Sequence, residues 1–329
     1  MKKTMALFLT LALLLAGFSA VAEAADDTLT IACVHRNLLG VSGVNFRAAY
    51  YYEAEQQGAE IMFFDGNQDV QAQCDYIDDC LASGSADAFL IWTCDADGIA
   101  QTVQTLYDSD IPTVTVDIQI PADSDAFVTA GNYEMGEMCA ESTAEYLTSI
   151  NGSPSGKVYV ITATTQSTSR ERQAGFLKGL EAYPEIEVIG TYDMPTTSVD
   201  DGAALADDLI QKNMEGSVDV YFTTNMSPML GLISSAATYG RNDFVVLGGF
   251  DYNDVFVEDM RNGGVTYSFV AQDCFEIGRK AFQLAVAAAR GEEIAEKEVF
   301  VPGQLVTKEN LDAYMADYEA KQEIIASYQ

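Results

Sequence analysis

From Thr28 onward the chain alternates short apolar runs with stretches of helical period, and no other feature narrows the fold as much. The runs predict strands at Leu29–Val34, Glu60–Phe64, Ala88–Trp92, Thr113–Val116, Lys157–Ile161, Val188–Tyr192, Val218–Thr223, Val245–Gly248 and Thr266–Val270. Between them the spacing predicts helices, among them Asn45–Gln57, Val70–Leu81, Gly131–Ser149, Arg170–Ala182, Gly202–Met214 and Glu276–Arg290. The strands are apolar without alternation, so both faces of each sheet are covered by helices. One such series runs from Leu29 to about Val116 and a second from about Val128 to Phe269. The expectation is an α/β protein of two doubly wound parallel-sheet lobes, and 329 residues suit two domains at about 150 each.

Charge removes several functions. Asp and Glu number 50 against 17 Lys and Arg, a formal net charge of −33. Nucleic acid and anionic membrane surfaces both require clustered cations, which are absent here. A ligand is therefore neutral or cationic, or anionic only where a local basic residue meets it.

The first 24 residues read as a signal peptide rather than as part of the fold. Lys2 and Lys3 open it, Thr4 to Phe18 is apolar, and Ala22-Glu23-Ala24 offers the small–x–small cleavage pattern. The apolar run is shorter than the ~20 residues that span a bilayer. Phe18 stands where a lipoprotein would carry its cysteine, so a periplasmic, unlipidated protein is expected.

Other chemistry finds little support. Six cysteines in an exported chain permit disulfides without fixing any pairing, and there is no CxxC. Cys74 and Cys80 lie on one predicted helix, about 9 Å apart in rise, too far for a bond. His35 is the single histidine, so neither a His-rich metal centre nor a serine or cysteine triad is expected. Leu39 to Asn45 lacks the third glycine of a dinucleotide loop. Asp65 to Gln71 begins like a calcium loop but lacks its later Gly and Glu, so it reads as a turn that caps the next helix. No cofactor and no metal are expected, and no catalytic residue is assigned.

In doubly wound sheets, ligands sit beyond the carboxyl ends of the strands. The residues there are polar: His35, Arg36 and Asn37, Asp65, Cys94 and Asp95, Asp117, Thr164 and Thr165 with Arg170, Asn225, Asp251, and Gln272. Carboxylates accept from sugar hydroxyls while guanidinium and amide groups donate to them, so the set suits a small neutral polyhydroxylated ligand.

Thr168 to Phe176 (TSRERQAGF), Phe222-Thr223-Thr224-Asn225, Gly248-Gly249-Phe250-Asp251 and Val270-Ala271-Gln272 resemble, in order and spacing, the ribose-binding branch of periplasmic sugar-binding proteins. The resemblance runs from about Thr28 to Val306. It implies the type 1 periplasmic binding protein fold, with a three-strand hinge joining lobes 25–116 plus 273–301 and 117–272 plus 302–329. It also implies a carrier that delivers a monosaccharide or similar small polyol to an ABC permease, and the acidic surface suits a solvated monomer. By position it implies ligand contacts from Asp95, Arg170, Asn225, Asp251 and Gln272, with Asp117 at the first crossing between lobes and Val301-Pro302 at the last. Lac-repressor-type regulators share the lobes but begin with a helix-turn-helix, where this chain has its apolar leader.

Two departures stand out. The family's paired ring-stacking phenylalanines are replaced by Gly40-Val41-Ser42-Gly43, and the third is replaced by a residue within Met194-Pro195-Thr196-Thr197. Trp92 or Tyr192 would have to supply the stacking, and Arg36 and Asn37 extra polar contacts. The rival readings are a receptor feeding a chemotaxis or histidine-kinase sensor, a binder of a nucleoside or furanone signal, and an exported Rossmann-like enzyme.

Overall fold

The computed structural model describes residues 28–38 and 40–328; the expected signal peptide lies outside the described residues. The first lobe opens with β1 (Thr30–His35), α1 (Gly40–Gln57), β2 (Glu60–Asp65), α2 (Val70–Ser83), β3 (Ala88–Ile91), α3 (Ala96–Asp108), β4 (Thr113–Val116) and β5 (Ala126–Ala130). The second lobe holds α4 (Asn132–Asn151), β6 (Gly156–Thr162), α5 (Ser167–Leu180), β7 (Ile186–Asp193), α6 (Val199–Lys212), β8 (Val220–Thr223), α7 (Met226–Tyr239), β9 (Val245–Gly248), α8 (Asp254–Arg261) and β10 (Thr266–Ala271). The chain returns to the first lobe for α9 (Cys274–Ala289) and β11 (Glu298–Val301), then ends in β12 (Gln304–Thr307) and α10 (Leu311–Ala326).

Each lobe is a six-stranded sheet, ordered β11-β5-β4-β3-β1-β2 in the first and β12-β10-β9-β8-β6-β7 in the second. All pairings are parallel except β12 with β10. Central strands such as Ala88–Ile91 and Thr113–Val116 are buried at every position, as two-sided cover requires. Side-chain caps fix where several helices begin. Asp69 accepts from the Gln71 and Ala72 amides, which makes the calcium-like stretch the capping turn the sequence suggested. Asp273 accepts from the Glu276 amide, so α9 starts directly after the second crossing.

The first crossing differs from expectation. Ala126–Ala130 forms β5, parallel to β4 within the first sheet, so Asp117 stays inside the first lobe and the chain leaves it at Gly131. The other crossings fall at Gln272-Asp273 and at Pro302-Gly303. Past the last crossing, α10 touches both lobes: Leu311 and Tyr314 join the second-lobe core, while Ile325 packs on Ala48, Ala49 and Phe275.

All six cysteines are free thiols, and only Cys94 is not buried. Among the described residues no helix is long and apolar enough to cross a membrane, and no cluster of His, Cys, Asp or Glu could hold a metal ion.

Candidate ligand-binding cleft

The carboxyl ends of both sheets face a cleft between the lobes. Its inner cavity has a volume of about 180 Å3, the share of roughly six waters. Four side chains dominate its chemistry: Asp117 and Trp92 from the first lobe, Arg172 and Asp251 from the second.

Arg172 is 4 % exposed and projects from α5. Its Nε donates to Asn132 Oδ1 at 2.9 Å and its Nη1 to the Thr224 carbonyl at 3.0 Å. The guanidinium lies 4.3 Å above the Phe250 ring. These contacts fix the plane of the fork and leave Nη2 without a protein acceptor among the described residues. Backbone contact between α4 and α5 makes the placement possible. A Cβ on Gly136 would meet the Arg172 carbonyl at 2.1 Å, and one on Gly175 would meet the Tyr133 carbonyl at 1.9 Å. Burial pulls the guanidinium below the usual arginine value, and Asp251 and Asp117 oppose that shift.

Each carboxylate is held by one oxygen. Trp92 Nε1 donates to Asp117 Oδ2 at 3.1 Å, and Gln272 Nε2 donates to Asp251 Oδ1 at 2.9 Å. The second oxygen of each has no donor among the described residues. Burial raises both carboxyl pKa values, that of Asp251 to about 6, and Arg172 acts against the rise in both cases. The cavity thus presents one fixed cation and two carboxylates with spare acceptor sites, a matrix that can donate to and accept from one hydroxylated molecule.

Aromatic rings line the first-lobe wall. Trp92 and Phe46 meet edge to face with centroids 5.0 Å apart, and Arg36 lies 5.6 Å over Trp92. His35 packs against Trp92 from behind, while its Nδ1 bonds the Asn37 carbonyl at 2.7 Å and so pins the turn that carries Arg36. Burial lowers the imidazole to about 4, which keeps it neutral at ordinary pH. In the second lobe, Ser169 and Thr224 both donate to Asn225 Oδ1, which turns the Asn225 amide toward Gln166 at 3.3 Å.

The sequence expectations divide here. Trp92, Arg36, Asp117, Asn225, Asp251 and Gln272 all line the inner cavity. Asp95 and Arg170 do not. Asp95 caps α3 through the Gly98 amide and faces an outer recess of about 480 Å3. Arg170 is exposed, lines the same recess and donates to the Thr164 carbonyl at 2.6 Å. The arginine that lines the inner cavity is therefore Arg172, not Arg170. Asn37 is buried beneath the turn and lines neither space. Tyr192 is 41 % exposed on β7, beside a separate surface recess of the second lobe.

Phe46, Ser42, Gln166, Thr168, Thr197 and Cys274 also line the cavity without having been singled out. The helical phase of α5 carried a usable signal for Arg172. Thr168, Ser169, Arg172, Gly175 and Phe176 share the buried face at spacings of three and four, and Arg170 falls off it. Phe46 lies one turn past the Gly40–Gly43 stretch, so it supplies an aromatic ring from the helix that the loop lacks.

Residues 43–293 match the family model described as periplasmic binding protein domain. The chain belongs to that family. Among curated periplasmic binding proteins it is 25% identical over 278 residues to a putative rhizopine-binding protein of Rhizobium meliloti, covering 82% of this chain and 85% of that one. It is 23% identical over 266 residues to the ribose import binding protein of Bacillus subtilis, covering 80% and 83%. Its fold is shared with a carbohydrate transporter solute binding protein from Agrobacterium radiobacter, solved in complex with D-arabinose. The TM-score there is 0.77 at 21% identity, over 89% of this chain and 99% of that one. The type 1 periplasmic binding protein architecture expected from the sequence is the observed one.

Proposed function

We propose that this periplasmic binding protein is the exported solute-binding component of an ABC importer and holds a monosaccharide or similar small polyol between its lobes. The observation that carries this reading is Arg172 lining one cavity with Asp117 and Asp251, with an unused donor on the arginine and an unused acceptor on each carboxylate. Charge-assisted bonds of this kind contribute about 1.5–3 kcal/mol net each. Trp92 and Phe46 offer apolar faces to the C–H surface of a ring. Membership of a binding-protein family, with ribose import among its curated relatives, supports ligand delivery over catalysis.

The cavity is built from both lobes, so a ligand that touches both favours the closed form by the contacts made only there. The three crossings at Gly131, Gln272 and Pro302 act as the hinge, and the permease reads the closed pair of lobe surfaces. The protein works as a monomer in the periplasm, released by cleavage after Ala24 and carrying no lipid. N-terminal sequencing of material from the native host would show a start at Ala25; a retained or lipidated leader would contradict it. Its acidic surface keeps it solvated.

A thermal-shift screen of the mature chain against pentoses, hexoses, cyclitols and nucleosides tests the reading. A true ligand at 100 times its dissociation constant stabilises the protein by about 2.7 kcal/mol. A screen in which only nucleosides shift the transition would overturn the sugar assignment.

A further inference from the structure

Beyond the inner cavity the cleft opens into the outer recess, which is larger than the cavity itself at about 480 Å3 against 180 Å3. Arg36, Ile118 and Gln166 line both spaces, so the two are continuous. The recess is also a two-lobe structure: Asp95, Asp97 and Pro121 come from the first lobe, Ser167 and Arg170 from the second.

Arg36, Arg170 and Arg172 all reach the cleft, and none has a carboxylate within ion-pair distance among the described residues. Elsewhere among the described residues Arg241 and Arg261 each have one and Arg279 has two, while Arg47 and Arg290 have none. Arg170 spends a single donor on the Thr164 carbonyl, and Arg36 spends its Nε on Gln68 at 3.2 Å. Asp95 and Arg170 line the recess and not the inner cavity, so a compact sugar held against Arg172 and Asp251 would leave both unused.

We propose that the outer recess is a second subsite, which takes a second polyhydroxylated unit joined to the sugar held inside, so that the preferred ligand is a disaccharide or glycoside. This rests on the sugar-binding reading above and extends it. The recess mixes two arginines with two aspartates, which gives no net pull on a charged substituent. The same mixture suits hydroxyls, which donate and accept at once. Ile118 and Ile120 add an apolar surface for ring C–H groups.

Calorimetric titration of matched pairs tests the proposal: glucose against maltose, cellobiose and trehalose, galactose against lactose and melibiose, and myo-inositol against galactinol. The expected result is at least one pair in which the longer molecule binds tenfold or more tightly than its parent. Arg170→Ala and Ala96→Trp, the second of which fills the recess, should each bring that ratio toward one. If parents bind as tightly as every extended partner, or the ratio survives both substitutions, the recess is merely the mouth of the cleft; the proposal then fails while sugar binding stands. If neither size binds, the sugar-binding reading fails and takes the subsite with it.

Discussion

Asp117 and Asp251 occupy equivalent places in the two lobes. Each follows the third strand in from the β11 or β12 end of its sheet, and each adopts a left-handed backbone, with φ of 64° and 134°. Each also keeps its N–H on the neighbouring strand, at Val128 O (2.8 Å) and Val270 O (3.0 Å). Positive φ at non-glycine residues costs of order 1–3 kcal/mol and persists only where the surroundings enforce it. Here the strand bonds enforce it, and the result is two carboxylates turned into the same cavity from opposite lobes, with the buried Arg172 lining it as well.

Asp251 should make the unliganded protein less stable as pH rises. Its folded pKa of about 6 lies above the ordinary aspartate value, so the folded state holds its proton more tightly than the unfolded chain. That contribution is complete below about pH 4 and is lost as pH climbs through 6, a fall on the order of 3 kcal/mol. Urea unfolding of wild type and Asp251→Asn between pH 4 and 7 checks it. The variant should lack this component of the slope; identical profiles would place the titration elsewhere.

Cys94 should be the only cysteine that a maleimide reaches in the folded protein, since the other five are buried. Burial raises its thiol pKa, so labelling is slower than for a free thiol. The residue lines the outer recess, and lobe closure should slow its modification further. Mass spectrometry of labelling with and without saturating ligand measures this. An unchanged rate would mean that closure leaves the recess open.

Much of this fold was legible because parallel strands buried on both faces leave plain apolar runs, and all nine expected strands appear. The strand at Ala126–Ala130 escaped notice because it joins β4 in parallel through residues 117–125 without a crossover helix, so the usual alternation is missing. Without that strand the first crossing between lobes is expected at Asp117 rather than at Gly131. β11 and β12 were hidden for another reason: they are short and only partly buried, so their burial leaves no apolar run. Among the strand-end residues, Asp117, Asn225, Asp251 and Gln272 line the inner cavity because a strand end fixes its own position, whereas Asp95 is taken up by the cap of α3. Arg170 and Arg172 lie on a helix, where a shift of two residues turns a side chain by about 200°. The order of motifs does not resolve that phase; the spacing of Thr168, Arg172 and Phe176 does.

Closure about the hinge should appear in small-angle scattering as a smaller radius of gyration once ligand is added, with each lobe unchanged. An identical profile under saturating ligand would mean that the lobes are locked in one relative position.

Ile325 should carry much of the attachment of α10 to the first lobe. It is fully buried against Ala48, Ala49 and Phe275, and Tyr328 bonds Glu55 beside it. Ile325→Ala should cost about 2–4 kcal/mol in denaturant unfolding. A loss below 1 kcal/mol would show that the end of the helix is only loosely seated.

The most direct measurement is calorimetric titration of the identified sugar into wild type, Arg172→Lys and Arg170→Ala. Lysine keeps the charge but not the planar fork that Asn132 and the Thr224 carbonyl hold in place. Arg172→Lys is expected to weaken monosaccharide binding by at least about 2 kcal/mol, on the order of thirtyfold, while Arg170→Ala changes it far less. Wild-type affinity in Arg172→Lys, or a larger loss in Arg170→Ala, would contradict the placement of the ligand between Asp117, Arg172 and Asp251.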